Sequence, residues 1–537
     1  MQKIKSANVY IWIAVVLFGL AFILVYSLGF RGADQKYGSP DETANAFFAK
    51  QFADQGSFRL EEPLLPVSNG LLHPRSMKVV EGAVVPGSWL GLPLMYGFLI
   101  KFFSAAALPY LTLVFSFFAG LAFFAWLKSL FNRKIAFVSV LLFFIHPIFW
   151  FYNSRPLWNN TLFVDLFIIS LAAFHFWLKN KKWYWAALTG LALGLTLIVR
   201  TSEAVWVILA LVIYWAVQKI SLPWKQILIA FGVVIIVFLP LAYYQRDTYG
   251  SLLSTGYTIA DNYYSPMNDN QSDQTGFISQ AARAIFPFGI KLEALRVFSD
   301  YQLKYFAGWT IFGLIGLMAL LMSSLRKHYS SLLGFSLMVL FINVWLVLMY
   351  GSFQFNEFAD RSALLFGSSY LRYWLPGLIL QIPLMVIAVE KIAQLVKGRW
   401  IKAVVFSLLI ISLVAFSVSK VVYEPLYGLS LNRSEAVSAE QENEKLVAAF
   451  VESRSVLLVK DKDKVYFPKY RVIGYNDFTA ELQAASNSLE TQVPIYLLSR
   501  GQLEVDLANR LAGQTNKQWQ LALPLLDSYG LYLLKTL

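Results

Sequence analysis

The chain alternates long apolar runs with short basic turns. Eleven runs have the length of a bilayer crossing: residues 9–29, 108–127, 135–152, 161–178, 183–199, 203–218, 227–244, 306–323, 331–350, 373–389 and 401–420. Each lies near the ~20 apolar residues that a helix needs to cross the hydrocarbon layer. The first follows Lys3 and Lys5 and lacks a small-residue cleavage site, so it reads as a retained anchor. Another apolar stretch, Pro86–Ala107, is interrupted by Pro86, Pro93 and Lys101. Beyond Leu431 the pattern changes to that of a soluble domain. Ala436–Glu452, Asp477–Leu489 and Gln502–Ala512 read as helices. Ser455–Lys460, Tyr470–Gly474 and Pro494–Leu498 read as short buried strands, and Trp519–Leu537 as strand-like runs split by Ser528-Tyr529-Gly530. This alternation predicts a small α/β domain. The expected division is therefore a membrane domain over 1–423, with polar outer loops at 31–107 and 245–304, and a soluble domain over 424–537.

Composition agrees with that pattern. Hydrophobic residues make up 57% and charged residues 14%, against about 25% charged in soluble domains. Disorder, a collagen-like repeat and a disulfide scaffold are excluded on the same grounds.

The net charge of +13 would suggest nucleic acid in a soluble protein. Here its distribution matters more than its size. The N-terminus and the short turns Lys128–Lys134, Lys179–Lys182, Lys219–Lys225, Arg326–His328 and Lys391–Lys402 hold 16 Lys and Arg. The polar segments Arg31–Gly82 and Gln245–Lys304 and the tail from Glu424 carry 23 basic and 27 acidic residues. The positive-inside rule then places the N-terminus and basic turns in the cytoplasm, and the long segments and tail outside. Were Pro86–Ala107 to cross, every later basic turn would lie outside. It is therefore expected to lie in, or dip into, the outer leaflet. The absence of cysteine suits a prokaryotic cytoplasmic membrane. His73, His146, His175 and His328 form no metal-ligand pair at helical spacing. The tail has no Gly-rich nucleotide fingerprint.

The candidate chemistry lies on the expected outer side. Ser39 or Asp41 is placed to cap a helix beginning near Glu42, with Ala46, Phe47, Ala49, Phe52 and Ala53 forming an apolar stripe for a helix lying on the membrane. Asp41 and Glu42 at its start could accept a proton from an attacking hydroxyl and orient it; alternatively they only favour the positive helix end. Arg75, Arg155, Arg200 and Arg372 fall at expected outer ends, where guanidinium forks fit a lipid phosphate. The alternative is snorkelling or local pairing, Arg200 with Glu203 or Asp165 for example. Asp165, just inside the fourth crossing, is expected to pair with Arg155 or Arg200. Tyr243, Tyr244, Tyr257, Tyr263 and Tyr264 could stack on a sugar or belong to an interfacial belt.

The order of these parts resembles the GT-C glycosyltransferases, in the subgroup of protein O-mannosyltransferases, lipid A aminoarabinose transferases and RgtA/B/C/D-like enzymes. The residues that carry the resemblance are Asp41-Glu42…Ala49…Gly56, Arg155-Pro156, Gly190…Gly194…Arg200, Asp247…Gly250-Ser251…Thr255-Gly256-Tyr257 and Arg372-Tyr373…Pro376. The resemblance implies an α-helical polytopic GT-C membrane protein with a C-terminal extracytoplasmic α/β domain. It also implies inverting transfer of a sugar from a polyprenyl-phosphate donor to a glycan, glycolipid or protein acceptor. Asp41 would be the base, with Glu42 supporting it or contacting the acceptor. Arg75, Arg200, Arg372 and Arg155 would meet the donor phosphate, and Tyr257, Tyr373 and Asp165 the acceptor or sugar. A divalent metal could assist, though no element demands one. The Lys-Pro-Pro-like element of aminoarabinose transferases is absent; His73-Pro74-Arg75 and Val85-Pro86 stand in that region, which argues against lipid A as acceptor.

Two other classes remain open. A transporter would place charges and broken helices in mid-membrane, and the absence of an internal repeat counts against it. A non-catalytic assembly protein would tolerate changes at Asp41 and Glu42.

Overall fold

A computed structural model describes residues 2–28, 38–259, 286–327, 330–353, 369–424, 428–429 and 435–537. Tyr263, Tyr264 and His328 lie outside the described residues. The chain forms two compact units that do not follow chain order. One comprises Met1–Arg31, Tyr110–Leu239 and Asp269–Leu429; the other comprises Gly32–Pro109, Pro240–Asn268 and Ser430–Leu537.

The first unit is a helical membrane bundle. Among the described residues, nine helices are long and apolar enough to cross a membrane, or ten if one bent pair is a single span. The single helices include α1 (Gln2–Ser27), α4 (Leu108–Leu130), α7 (Asn159–Asn180), α9 (Ala204–Gln218), α10 (Trp224–Tyr249), α12 (Ala307–Lys327), α13 (Ser330–Gly351), α14 (Leu375–Leu395) and α15 (Arg399–Val422); the short α11 (Glu293–Phe298) precedes α12. The protein is thus a multi-pass membrane protein. The third expected crossing is not one straight rod. It consists of α5 (Arg133–Ile145) and α6 (Pro147–Asn153), bent by 51°. Pro147 supplies no N–H to continue α5 and suits the first turn of α6. The fifth, α8 (Trp183–Val199), has 17 residues, at the short end of spanning lengths.

Small residues set the spacing inside this bundle. A side chain at Gly190 of α8 would lie 2.4 Å from the Ala230 carbonyl oxygen, and one at Gly194 would lie 2.9 Å from Val237. The Gly190…Gly194 spacing therefore serves close helix packing. Leu17, Leu20 and Leu24 of α1 and Ile236 and Leu239 of α10 are exposed, as lipid-facing positions require.

The second unit contains α2 (Pro40–Gln55), β1 (Leu60–Glu61), β2 (Met77–Val80), β3 (Ala83–Pro86) and α3 (Gly91–Phe103). The strands form a small antiparallel sheet in the order β1-β3-β2. Pro86 ends β3 and so does not interrupt a helix, as had been expected. At 13 residues, α3 is roughly 20 Å long and too short for the hydrocarbon layer.

The tail adds α16 (Glu435–Phe450), β4 (Val456–Lys460), α17 (Asp463–Tyr466), β5 (Arg471–Tyr475), α18 (Ala480–Glu490), β6 (Ile495–Ser499), α19 (Gln502–Gly513), β7 (Lys517–Pro524) and β8 (Gly530–Thr536). Its sheet runs β5-β4-β6-β8-β7, with β5, β4 and β6 parallel and the β7–β8 hairpin antiparallel. Leu457, Val459, Val472, Leu498 and Leu531 form the core under α16.

The α2–α3 contact places the first-loop helix. A side chain at Gly97 would lie 2.7 Å from both the Ala49 carbonyl oxygen and the Phe52 ring. Gly97→Val is therefore expected to destabilise this contact by ~1–3 kcal/mol. Thermal unfolding in detergent should show a lower midpoint than wild type; an unchanged midpoint would contradict the packing argument.

Candidate functional site

Helix α2 begins where its sequence dictates. Ser39 is extended (φ −129°, ψ 149°), and its Oγ accepts the Asp41 N–H at 3.1 Å. Pro40 occupies the first turn, and Asp41 and Glu42 lie at the positive end of the helix. Gly56, at φ 71°, closes the other end by donating its N–H to the Phe52 carbonyl. The expected membrane-lying stripe is not what forms. Glu42, Asn45 and Gln51 are buried together with Ala46, Phe48, Ala49 and Phe52. Phe47 is half-buried against Phe467, with ring centroids 4.9 Å apart, and Phe52 stacks on Phe58 at 4.9 Å. The helix is enclosed by protein on most sides, so one apolar face cannot describe it.

The two carboxylates occupy different environments. Asp41 is half-buried, and its Oδ1 accepts the Ser76 hydroxyl at 2.6 Å. Glu42 is fully buried. Neighbouring residues on a helix do not face each other, and here one carboxylate is half-buried and the other fully buried. Lys464 donates to the Gly38 carbonyl just before α2. Burial pushes the Lys464 ammonium below the usual lysine range, with Glu440 opposing that shift.

Arg75 has partners other than the expected phosphate. Its Nε and Nη2 donate to Asp463 Oδ1 at 3.0 and 2.6 Å, and its backbone N–H donates to Asp463 Oδ2 at 2.7 Å. Nη1 donates to Asp461. Two carboxylates therefore surround one guanidinium. These bonds engage the guanidinium that the sequence reading assigned to the donor phosphate.

In the membrane unit, Arg200 and Arg372 share one aromatic side chain. Arg200, between α8 and α9, donates to Glu203 Oε1 through Nε at 3.0 Å and Nη2 at 2.6 Å, and to the Tyr350 hydroxyl at 2.9 Å. Tyr350 in turn donates to Glu203. The Arg200 guanidinium carbon lies 5.3 Å from the Tyr373 ring centroid, and that of Arg372 lies 5.2 Å from it. Arg372 also lies 4.1 Å from the Trp158 ring and donates to the Tyr373 hydroxyl at 3.3 Å. Tyr373 stacks on Tyr350 at 4.7 Å. Aromatic faces thus contribute to holding both cations, and Glu203 also neutralises Arg200. Arg155 lies over the Phe151 ring at 3.8 Å.

Among the described residues, Asp165 pairs with no arginine. It is fully buried and bonds the Ser116 hydroxyl at 2.6 Å, and Ser116 also lies 2.7 Å from Asn153 Oδ1. Tyr257 is exposed and packs on Trp89 at 5.0 Å. A side chain at Gly256 would come within 2.2 Å of the Gly87 backbone. The Thr255-Gly256-Tyr257 stretch thus contains a close backbone crossing. Tyr244 packs on Phe52 at 5.0 Å, so it is part of the α2 environment. Among the described residues, no three His, Asp or Glu converge to hold a metal ion.

The sequence reading did not single out Ser76, Asp463, Lys464 or Tyr350. Each meets its partner through tertiary contact, and none carries a local signal. Glu203 was visible as a possible partner three residues after Arg200.

No family model matches this sequence, and no curated protein matches it by sequence. Solved structures do match its fold. The archaeal oligosaccharyltransferase AglB from Archaeoglobus fulgidus, in complex with an inhibitory peptide and a dolichol-phosphate, is 11% identical at TM-score 0.58, covering 95% of this chain and 71% of its own. ArnT from Cupriavidus metallidurans in the apo state is 11% identical at TM-score 0.56, covering 99% and 98%. ArnT from the same organism bound to undecaprenyl phosphate is 12% identical at TM-score 0.56, covering 97% of each chain.

The Arg200 pairing has a stability consequence. Glu203→Ala leaves a buried guanidinium without its carboxylate, which is expected to cost about 3–5 kcal/mol. Glu203→Gln, which keeps an acceptor oxygen, should cost less. Thermal unfolding of the purified variants should rank them in that order; equal midpoints for wild type and Glu203→Ala would contradict the pairing.

Proposed function

The chain has the fold of the GT-C membrane glycosyltransferases, and from that premise we propose that it is a glycosyltransferase using a polyprenyl-phosphate-linked sugar. The acceptor is a hydroxyl of a glycan, glycolipid or protein at the outer face of a prokaryotic cytoplasmic membrane. The observation that carries this reading is Asp41. It is a half-buried carboxylate at the head of the first-loop helix, oriented by the Ser76 hydroxyl at 2.6 Å.

The chemistry needs only groups of these kinds. Asp41 accepts the proton of the acceptor hydroxyl. The acceptor oxygen forms a bond to the sugar anomeric carbon as the bond from that carbon to the phosphate oxygen breaks. The polyprenyl phosphate leaves with the electron pair, so the anomeric configuration inverts. Arg372 and Arg200, both against Tyr373, are the candidate cations for this leaving phosphate, Arg200 once it exchanges Glu203 for the phosphate. Tyr257, exposed beside Trp89, offers a ring to the sugar. The two lipid phosphates named in the solved relatives, dolichol-phosphate and undecaprenyl phosphate, support the donor class.

In proteoliposomes with radiolabelled undecaprenyl-phosphate-linked monosaccharides and cell-envelope glycans as acceptor, Asp41→Asn is expected to lower kcat by about 10²-fold or more. Full retention of transfer would remove Asp41 from the base role. The orientation has its own test in this cysteine-free chain. A cysteine at Ser528 should react with an impermeant thiol reagent in intact cells, and one at Lys181 only after permeabilisation. The opposite pattern would reverse the topology.

A further inference from the structure

The first polar segment and the C-terminal α/β domain belong to one compact unit, and one buried carboxylate joins them beside Asp41. Asp463 is the first residue of α17 and is fully buried. It holds both the Arg75 guanidinium and the Arg75 backbone N–H, through contacts at 2.6–3.0 Å. Charge-assisted bonds of this kind are short and directional. A second contact fixes the same segment: the Gly474 N–H at the end of β5 donates to the His73 carbonyl at 3.2 Å. Gly474 packs closely here: a side chain there would lie 3.2 Å from Arg75 N and 3.3 Å from Asp463 Oδ2.

The residue after Arg75 carries the consequence. Ser76 adopts φ 62°, a left-handed conformation that is uncommon for serine. The surrounding bonds hold it there: Arg75 is clamped on one side, and the Ser76 carbonyl accepts the Gly87 N–H at 2.9 Å on the other. In that conformation Ser76 Oγ donates to Asp41 Oδ1 at 2.6 Å. The chain of contacts runs from a carboxylate of the tail to the first-loop carboxylate across 388 positions between Arg75 and Asp463.

We propose that Asp463 is a positioning residue for Asp41, acting through Arg75 and Ser76, so that the C-terminal domain orients the base. This rests on the reading of Asp41 as the base. It also gives the C-terminal α/β domain a role in the transfer step without contact to substrate. Arg75 then serves as the link between the domain and the base and not as a phosphate ligand.

The test is a double-mutant cycle in the full-length protein with Ser76→Ala, Asp463→Asn and both together, alongside Asp41→Asn. Two quantities are read. One is kcat and donor KM with the radiolabelled undecaprenyl-phosphate-linked monosaccharides. The other, which needs no turnover, is labelling of Asp41 by carbodiimide-coupled glycine ethyl ester, resolved by mass spectrometry. Both single variants should lower kcat about tenfold with donor KM within about twofold. Both should raise Asp41 labelling, and the double variant should match the single ones. A merely structural Asp463 predicts effects that multiply in the double variant, or Asp41 labelling that stays at the wild-type rate in Asp463→Asn; either overturns the proposal. If Asp463→Asn does not fold, Asp463→Glu takes its place, keeping the charge and moving it by one methylene. Wild-type transfer by Asp41→Asn would bring down the base reading and this proposal with it. Loss of transfer in Asp41→Asn with Asp463→Asn unaffected would bring down the positioning role alone.

Discussion

A charge withdrawn from water must find its partner inside the protein, and this constraint organises both units. Removing an ion from water costs several kcal/mol unless hydrogen bonds and an opposite charge offset the loss. Arg75 meets the constraint with Asp463 and Asp461, and Arg471 with Glu62 at 2.9 Å. Arg200 meets it with Glu203 and the Tyr350 hydroxyl. Arg372 is held against the faces of Trp158 and Tyr373. The consequence for function is a sorting of the arginines. Arg75 and Arg200 are both bound by carboxylates, whereas Arg372 lies against the faces of Trp158 and Tyr373.

The membrane imposes a second form of the same rule. Backbone groups inside hydrocarbon must be satisfied within the helix, which makes crossings readable as apolar runs of fixed length. All eleven expected runs correspond to helices or to the bent α5–α6 pair. The tail was equally legible: its strands and longer helices appear within a few residues of the expected boundaries, because burial of β4, β5 and β6 on both faces requires continuous apolar stretches. The bend at Pro147 was missed because a proline near a helix end reads equally as a first-turn residue.

The candidate site was legible only in part. The capping of α2 and the position of Asp41 follow from Ser39-Pro40-Asp41-Glu42, a local signal. The different environments of Asp41 and Glu42 do not, since burial is decided by what packs around a helix. The partners Ser76 and Asp463 lie 35 and 388 positions from the residues they bond, and no periodicity announces such pairs. Asp165 was expected to pair with an arginine because an intramembrane acid is costly; its hydrogen bond instead comes from the Ser116 hydroxyl.

The fold persists at 11–12% identity with AglB and ArnT, as expected where helix length, small-residue packing and a few paired charges set the architecture. The central claim is a single displacement in which Asp41 takes the acceptor proton. The anomeric configuration of the product tests it most directly. Nuclear magnetic resonance of the product formed from an undecaprenyl-phosphate-linked sugar of known configuration should show the opposite anomer. A retained configuration would exclude a single in-line displacement and would contradict the account.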